Sequence, residues 1–591
     1  MKRLTTLARV SGYLLSPLTV IILLSTSACS IQQPVEQQAH FPHYTRSKVP
    51  PPQNIPPMEL SGELLYEILV AEFAENSGDL TLANNNYLRS AYQSKDPRLA
   101  KRATQAAIFA KDYRAAIIGA RLWVEFEPES LDARQSNASL LLIQGRLEDA
   151  KPHLIWLLKN DHYSADRLVA VARLMSRSPA TVDAITLFES INPTTNQSNE
   201  RIVDTLFATA VLAQMKSHDE IALKRLERLL KIDPKHVDGI VQRAKLWFLK
   251  DRQKDALNSL STLLKRQPDN FPARLNYARM LVSMQAIKEG MEQFKELTKQ
   301  SPRNSDIIYG YGILAIQNGE LDIAEAQFQN LIHLHLREAE ARQSLGQIFE
   351  LRQQYDEAIN WYRSVPKGEI FFASQLRAAQ LIVNRDGLES ALSVLHQIPA
   401  ENKAEELQKL VTEAELLQSN QQYDKAFERF SVALQEAPNN PDLLYAHAMA
   451  AEKIDHIDIL EKNLLQVLNI DPNNIQALNA LGYTLVDRTN RIAEAFEYIK
   501  RAYAIDSKDP AILDSMGWAL YRLGRHQEAL TYLRQASEHK DGEIYAHLGE
   551  VLWVSGDSAT ARAIWDAAIK FDPDHPVLKK TLERFAPQLE Q

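Results

Sequence analysis

Cys29 is the only cysteine in a chain of 591 residues. One thiol cannot form an internal disulfide, and no zinc cluster can be assembled from it. His333 and His335, in the stretch HLHL, stand two residues apart, so on a helix they point in different directions and do not form a ligand pair. His-Glu-x-x-His is absent, as are G-x-x-x-x-G-K-[ST] and G-x-S-x-G, and 19 glycines are too few to furnish phosphate-cradling loops. Carboxylates are abundant, and the pattern reads them as lying on solvated helix faces. The residues therefore predict no enzyme, no metal and no cofactor. Two kinds of chemistry remain: a thiol as an attachment point, and surface side chains that recognise another molecule.

The flanks of Cys29 decide what the thiol is for. Lys2, Arg3 and Arg9 make a positive start, and residues 13–24, YLLSPLTVIILL, form an apolar run interrupted by Pro17. That run has the length of a signal peptide and is too short for a membrane span. Small residues, STSA, lead into the cysteine. The pattern resembles the lipobox of bacterial lipoproteins, in which the peptide is cut before the cysteine and the thiol carries a diacylglycerol. Thr26 stands where that family usually has leucine, and ordinary cleavage after Ala28 would leave a free N-terminal cysteine. The resemblance implies a signal peptide over 1–28 and lipid attachment at Cys29. Ser30 follows the cysteine where an aspartate would imply inner-membrane retention, so the resemblance implies an outer-membrane anchor facing the periplasm.

Residues 29–58 carry the cysteine and then seven prolines with no apolar period, and read as an extended tether. At ~3.1 Å per residue such a segment reaches on the order of 90 Å when fully extended. Removal of residues 1–28 takes away three positive charges and no negative one, moving the formal charge from −8 to −11. That balance disfavours nucleic acid as a partner.

The elements that present the surface are legible as a ladder. Ala222, Ala256, Gly290, Ala324 and Ala358 recur every 34 residues. Another small residue precedes each by 12 (Ala210, Ala244, Ala278, Gly312, Gly346), and a large apolar one follows each by four (Leu226, Leu260, Phe294, Phe328, Tyr362). The ladder extends upstream through Ala83, Ala116, Ala150 and Ala184, and downstream through Ala391, Ala426, Leu460, Ala495, Ala529 and Ala561. The longest step, 38 residues from Ala184 to Ala222, is assigned to a longer loop over 192–200. Two helical patterns per unit, with Asp-Pro pairs between units, predict antiparallel helix pairs crossing closely at the small residues. One pair cannot bury its apolar face alone, so the units must stack into a solenoid.

A period near 34 with these spacings resembles the tetratricopeptide repeat. The best copy holds Leu548, Gly549, Leu552, Ala561, Trp565, Ala568 and Pro573 at the motif's positions. The expected fold is an all-α superhelical solenoid of about 13–15 helix pairs, with degenerate repeats over 59–200, central repeats over 201–368 and C-terminal repeats over 369–591. In this family the first helix of each pair lines the groove where partners lie. Counting from the small residues places Lys245, Phe248, Arg279, Tyr309, Gln343 and Gln347 on that face, a mixture suited to an extended peptide.

Size, anchor, tether and repeat number are similar to the Gram-negative tetratricopeptide lipoproteins that serve as adaptors of a periplasmic carboxyl-terminal processing protease. Residues 61–116 and the closing repeats carry that likeness. It implies partners: the protease and its peptidoglycan-hydrolase substrates, whose breakdown the adaptor would promote. A scaffold for outer-membrane protein assembly or for polysaccharide or protein export uses the same architecture and stays open at this stage. An enzyme with a site assembled across repeats would show converging carboxylates, or a histidine beside a nucleophile.

Overall fold

The computed structural model describes residues 60–159, 164–195 and 197–589. The signal-peptide reading of 1–28, the attachment site Cys29 and the tether over 29–58 lie outside the described residues. Among the described residues the chain forms 31 α-helices and no strand, as the period required. No helix among them is long and apolar enough to cross a membrane.

Every rung of the ladder falls on a second helix. The alanine rungs from Ala83 to Ala561 are 0% exposed, as is Leu460, and Gly290 is buried. The small residues of the first helices face the large residues of the second. A β-carbon on Gly346 would stand 2.7 Å from the Tyr362 ring, and one on Gly549 would overlap the Trp565 indole. Only a small residue permits that approach, and the ring on the partner helix fills the space it leaves. The large partners are themselves core: Phe294, Phe328, Phe430 and Trp565 are no more than 1% exposed.

A second ladder sits in the turns inside the pairs. Ser217, Asp251, Gln285, Gly319, Gln353, Gly387, Gln421 and Asp455 all have φ between 56° and 83°, and they recur every 34 residues. At most of them the next residue closes a 6→1 hydrogen bond onto the helix just ended. His218 N donates to Ala213 O (2.8 Å), Ala286 N to Leu281 O (3.0 Å) and Gln354 N to Phe349 O (2.8 Å). This closure terminates the first helix and reverses the chain. Between pairs, Asn and Asp side chains cap the next first helix. Asn270 Oδ1 accepts from Ala273 N (3.0 Å), and Asn474 Oδ1 from Ala477 N (2.9 Å).

The chain divides into two compact units between Glu320 and Leu321. In the first unit, the long step between Ala184 and Ala222 differs from its sequence reading. The segment 192–198 is longer than 233–236, as read, but helix Thr181–Ile191 is shorter than Asp219–Ile232 by the same amount, so the net extra residues lie in the next helix. Helix Asn199–Met215 has 17 residues, where Val237–Leu249 and Phe271–Ser283 have 13, so the insertion is an added N-terminal turn. A turn takes about 3.6 residues, so four more lengthen the helix without rotating its buried face. Helix Ala165–Met175 packs mainly along this lengthened helix rather than on its own second helix, Thr181–Ile191. Lys216 Nζ ties the turn between those two helices, donating to the carbonyls of Ser176 and Ser178.

In the second unit, first helices pack on first helices. Ile475–Arg488, Pro510–Arg522, Gly542–Val554 and the closing helix Pro576–Leu589 form one such succession, and Phe371–Asp386 with Lys403–Ser419 another. Second helices of this unit pack chiefly on their immediate chain neighbours, so the first helices make up the closer-packed side.

Candidate functional site

Lys245 and Phe248 lie on Val237–Leu249, Arg279 on Phe271–Ser283 and Tyr309 on Ser305–Gln317, all first helices of the first unit. Gln343 and Gln347 lie on Glu338–Leu351 in the second unit. All six are half-buried. Phe248 spends part of its ring on the core around Ala244 and Leu260. Burial pushes the Arg279 guanidinium down, with Asp306 opposing, and its Nε finds no acceptor. His333 ends helix Leu321–His333, while His335 lies beyond it with φ 57° and bonds Glu338 Oε1 at 2.7 Å. No group of three metal-ligating side chains occurs among the described residues.

The carboxylates correct the sequence reading. Several are not on solvated faces: Asp514, Glu550 and Glu413 are 5%, 4% and 8% exposed. Asp514 and Glu550 belong to a polar cluster on the first helices of the last repeats. The His547 imidazole is 2% exposed, and its Nδ1 bonds both carboxylate oxygens of Asp514, at 3.0 and 2.9 Å. The Trp518 indole stacks on it, with centroids 4.0 Å apart and planes at 17°. The Tyr483 hydroxyl, two repeats upstream, donates to Glu543. Glu550 accepts from the Tyr521 hydroxyl at 3.1 Å and from the Arg584 guanidinium of the closing helix. Four successive first helices are thus joined by side chains.

The electrostatics of the cluster are mutually dependent. Burial alone would push the His547 imidazole down, but the Asp514 carboxylate, helped by Glu543 and Asp487, outweighs it and the net shift is upward. Burial pushes Glu543 up, against the pull of His547 and the Tyr483 hydroxyl. Burial and the nearby carboxylates raise Tyr483. None of these residues stood out in the sequence. The available signal was an aspartate inside the otherwise apolar first turns of PAILDSMGWAL, one repeat before the histidine of EIYAHLGEVL.

A histidine does meet a nucleophile in the second unit. Ser431 Oγ lies 2.8 Å from His447 Nε2, and Asn463 Nδ2 lies 2.7 Å from His447 Nδ1. The hydroxyl also donates to Phe427 O at 2.8 Å, so its one proton is committed there. His447 then donates through Nε2 and accepts through Nδ1, a tautomer that cannot take a proton from the serine. Burial lowers the imidazole to about 4, and the Phe427 ring stacks on it at 4.4 Å. The chain of bonds joins three helices and does not activate Ser431.

These helix pairs, their small-residue crossings and their 34-residue register define a class: an all-α repeat array built from tetratricopeptide units. The tetratricopeptide repeat family matches residues 309–369 and 515–576. Over 491 residues the chain is 31% identical to the TPR repeat-containing protein PA4667 of Pseudomonas aeruginosa, covering 83% of this chain and 82% of that one. A TPR repeat-containing protein of Methanocaldococcus jannaschii is 26% identical over 172 residues, 29% of this chain and 30% of the relative. Among solved structures, the crystal structure of the APC/C hetero-tetramer Cut9-Hcn1 contains a chain 14% identical, with 89% of this chain and 96% of that one covered and a TM-score of 0.32. The chain belongs to the tetratricopeptide-repeat family. Proteins of this family bind other proteins, and the six residues that the sequence assigns to a groove are of the type such binding uses.

Proposed function

We propose that the chain is a non-catalytic adaptor, anchored by lipid at Cys29 in the outer membrane and facing the periplasm. It binds a carboxyl-terminal processing protease and the peptidoglycan hydrolases that the protease degrades. The observation that carries the scaffold reading is the ladder: from Ala83 to Ala561 the rungs are buried, so the described body consists of repeats throughout. The protease reading rests on the likeness of residues 61–116 and the closing repeats to adaptor lipoproteins. The mechanism is proximity. Two partners held on one array meet at an effective concentration set by the array, far above their free concentrations.

Reconstitution tests this. Purified protease and hydrolase are mixed with and without the full chain, and hydrolase cleavage is followed on gels. A sharp rise in cleavage is expected, saturating with adaptor. An unchanged rate at saturating adaptor removes the protease reading and leaves the assembly or export scaffold, which a crosslinked pull-down from membranes would then identify.

A further inference from the structure

The first unit has a basic cleft away from the groove residues. Helix Val237–Leu249 contributes Ile240, Arg243 and Trp247, spaced along one face. Lys245, two residues beyond Arg243, points roughly 200° around the same helix. Buried Leu230, Ile240 and Leu263 form an apolar floor. Around it stand four basic residues, Lys235, Arg243, Arg252 and Arg266, against one carboxylate, Asp255. Asp255 is already engaged, accepting from Arg252 Nε at 2.8 Å. In a chain of net charge −8 this is a local excess of positive charge.

Arg243 precedes the small residue Ala244, the register at which Leu345, Leu481, Met516 and Leu548 are buried in other repeats. Polar residues do occur there, but buried Asn137, Thr209, Glu413 and His447 each bond a neighbour. Its guanidinium lies over the Trp247 ring at 4.2 Å, and that of Arg252 lies over the same ring at 4.4 Å. The stack orients both cations. No hydrogen bond or ion pair within the described residues engages the Arg243 side chain, and both Arg243 Nε and Trp247 Nε1 are buried without an acceptor. Burial pushes the guanidinium down, with Glu227 too distant to bond it. A charged residue at this register has an internal partner where Glu413 meets Arg429, and Arg243 has none, so an arriving acceptor group accounts for it.

We propose that this cleft binds carboxylate side chains of an extended acidic segment on a partner protein, with Arg243 and Arg266 as the charge contacts and Leu230, Ile240 and Leu263 taking an adjoining apolar side chain. The oriented guanidinium suits a carboxylate, and the apolar floor suits a peptide better than a free ion. The inference does not depend on the protease reading, because it concerns another face and any acidic partner.

The test uses the full chain and a short fluorescein-labelled peptide of repeated Glu-Ser-Leu units, read by fluorescence anisotropy. The counterpart has Gln for every Glu. Arg243→Leu installs the residue type that other repeats hold at this register, so it should fold with an unchanged or higher Tm. Expected are binding that weakens with salt, a loss of about tenfold or more in Arg243→Leu and in Arg266→Gln, and a similar loss with the Gln peptide. Lys288→Ala, at an exposed lysine outside both the cleft and the groove set, should bind as the unaltered chain does. Four results each overturn the proposal: no binding by the unaltered chain, full binding by Arg243→Leu, equal binding of the Gln peptide, or a like loss in Lys288→Ala, which would mean attraction to any surface cation. Displacement of the peptide by inorganic phosphate at matching concentration also overturns it, in favour of a small-anion site.

Discussion

Asp514 and His547 form a buried pair, 2.9 Å apart, between first helices of adjacent repeats. The pair is covered by Trp518 and flanked by Glu543, so neither partner can exchange the other for water. Removing one side leaves an uncompensated buried charge. Asp514→Ala should therefore cost about 3 kcal/mol or more, whereas Asp514→Leu with His547→Leu should come close to neutral. Urea unfolding of the three proteins measures both. A double variant no better than the single one would show that the pair's surroundings, not the pair, carry the cost.

The same pair sets a pH dependence. The His547 imidazole is raised above its ordinary 6.5 by Asp514, so its contribution is present in full below 6.5 and is lost as pH rises through the folded value. His447, lowered to about 4 by burial, acts oppositely: its contribution grows between about 4 and 6.5 and is constant above. His153, also lowered by burial, adds to that rise. The histidines together favour a climb up to near 6.5 and a decline above it, and Glu543 and Glu415, raised by burial, subtract from the climb from 4.5 upward. The decline should vanish in Asp514→Leu with His547→Leu, where neither charge remains, checked by urea midpoints from acid to mildly alkaline buffer.

Gly549 faces the Trp565 indole with no room for a methyl group. Gly549→Ala should cost roughly 1–3 kcal/mol by forcing the helices apart. Thermal melts of the full chain would read this. A loss of only a few tenths would mean that the indole can turn aside.

Gln285 is exposed and holds φ 62° at the end of helix Phe271–Ser283. Gly at this position relieves the left-handed strain but loses more freedom on folding. The balance should leave Gln285→Gly more stable by about 0.5–1 kcal/mol. Chemical denaturation would reveal a gain or its absence.

Arg279 and Tyr309 are half-buried on consecutive first helices. If they contact a partner, Arg279→Ala with Tyr309→Ala should weaken stimulation of proteolysis about tenfold at unchanged Tm. Equal stimulation would take those two residues out of the binding face.

Cys29→Ala should move the mature protein from the detergent phase to the aqueous phase in Triton X-114 partitioning, since several buried acyl chains are needed for stable anchoring. Retention in the detergent phase would mean that something other than Cys29 holds the protein at the membrane.

The repeat fold was legible in the sequence because its cause is local. A residue at a helix crossing must be small in every copy, and the turn five residues before each second-helix rung must close in the same way, so one-dimensional spacing records both. Gly549 before Trp565 and Asn474 before Ala477 are visible in this sense, since each meets its partner within one repeat. The insertion before Ala210 was visible as a number but not as a turn of helix, because spacing alone does not distinguish four residues of loop from four of helix. The pairing of Asp514 with His547 and of Tyr483 with Glu543, and the Arg243 guanidinium without an acceptor, were decided only in three dimensions. Each depends on how neighbouring first helices are rotated about their axes. Electrostatic partnership acts over a few ångströms between residues that the chain separates by a full repeat or more, and sequence order carries no record of that distance.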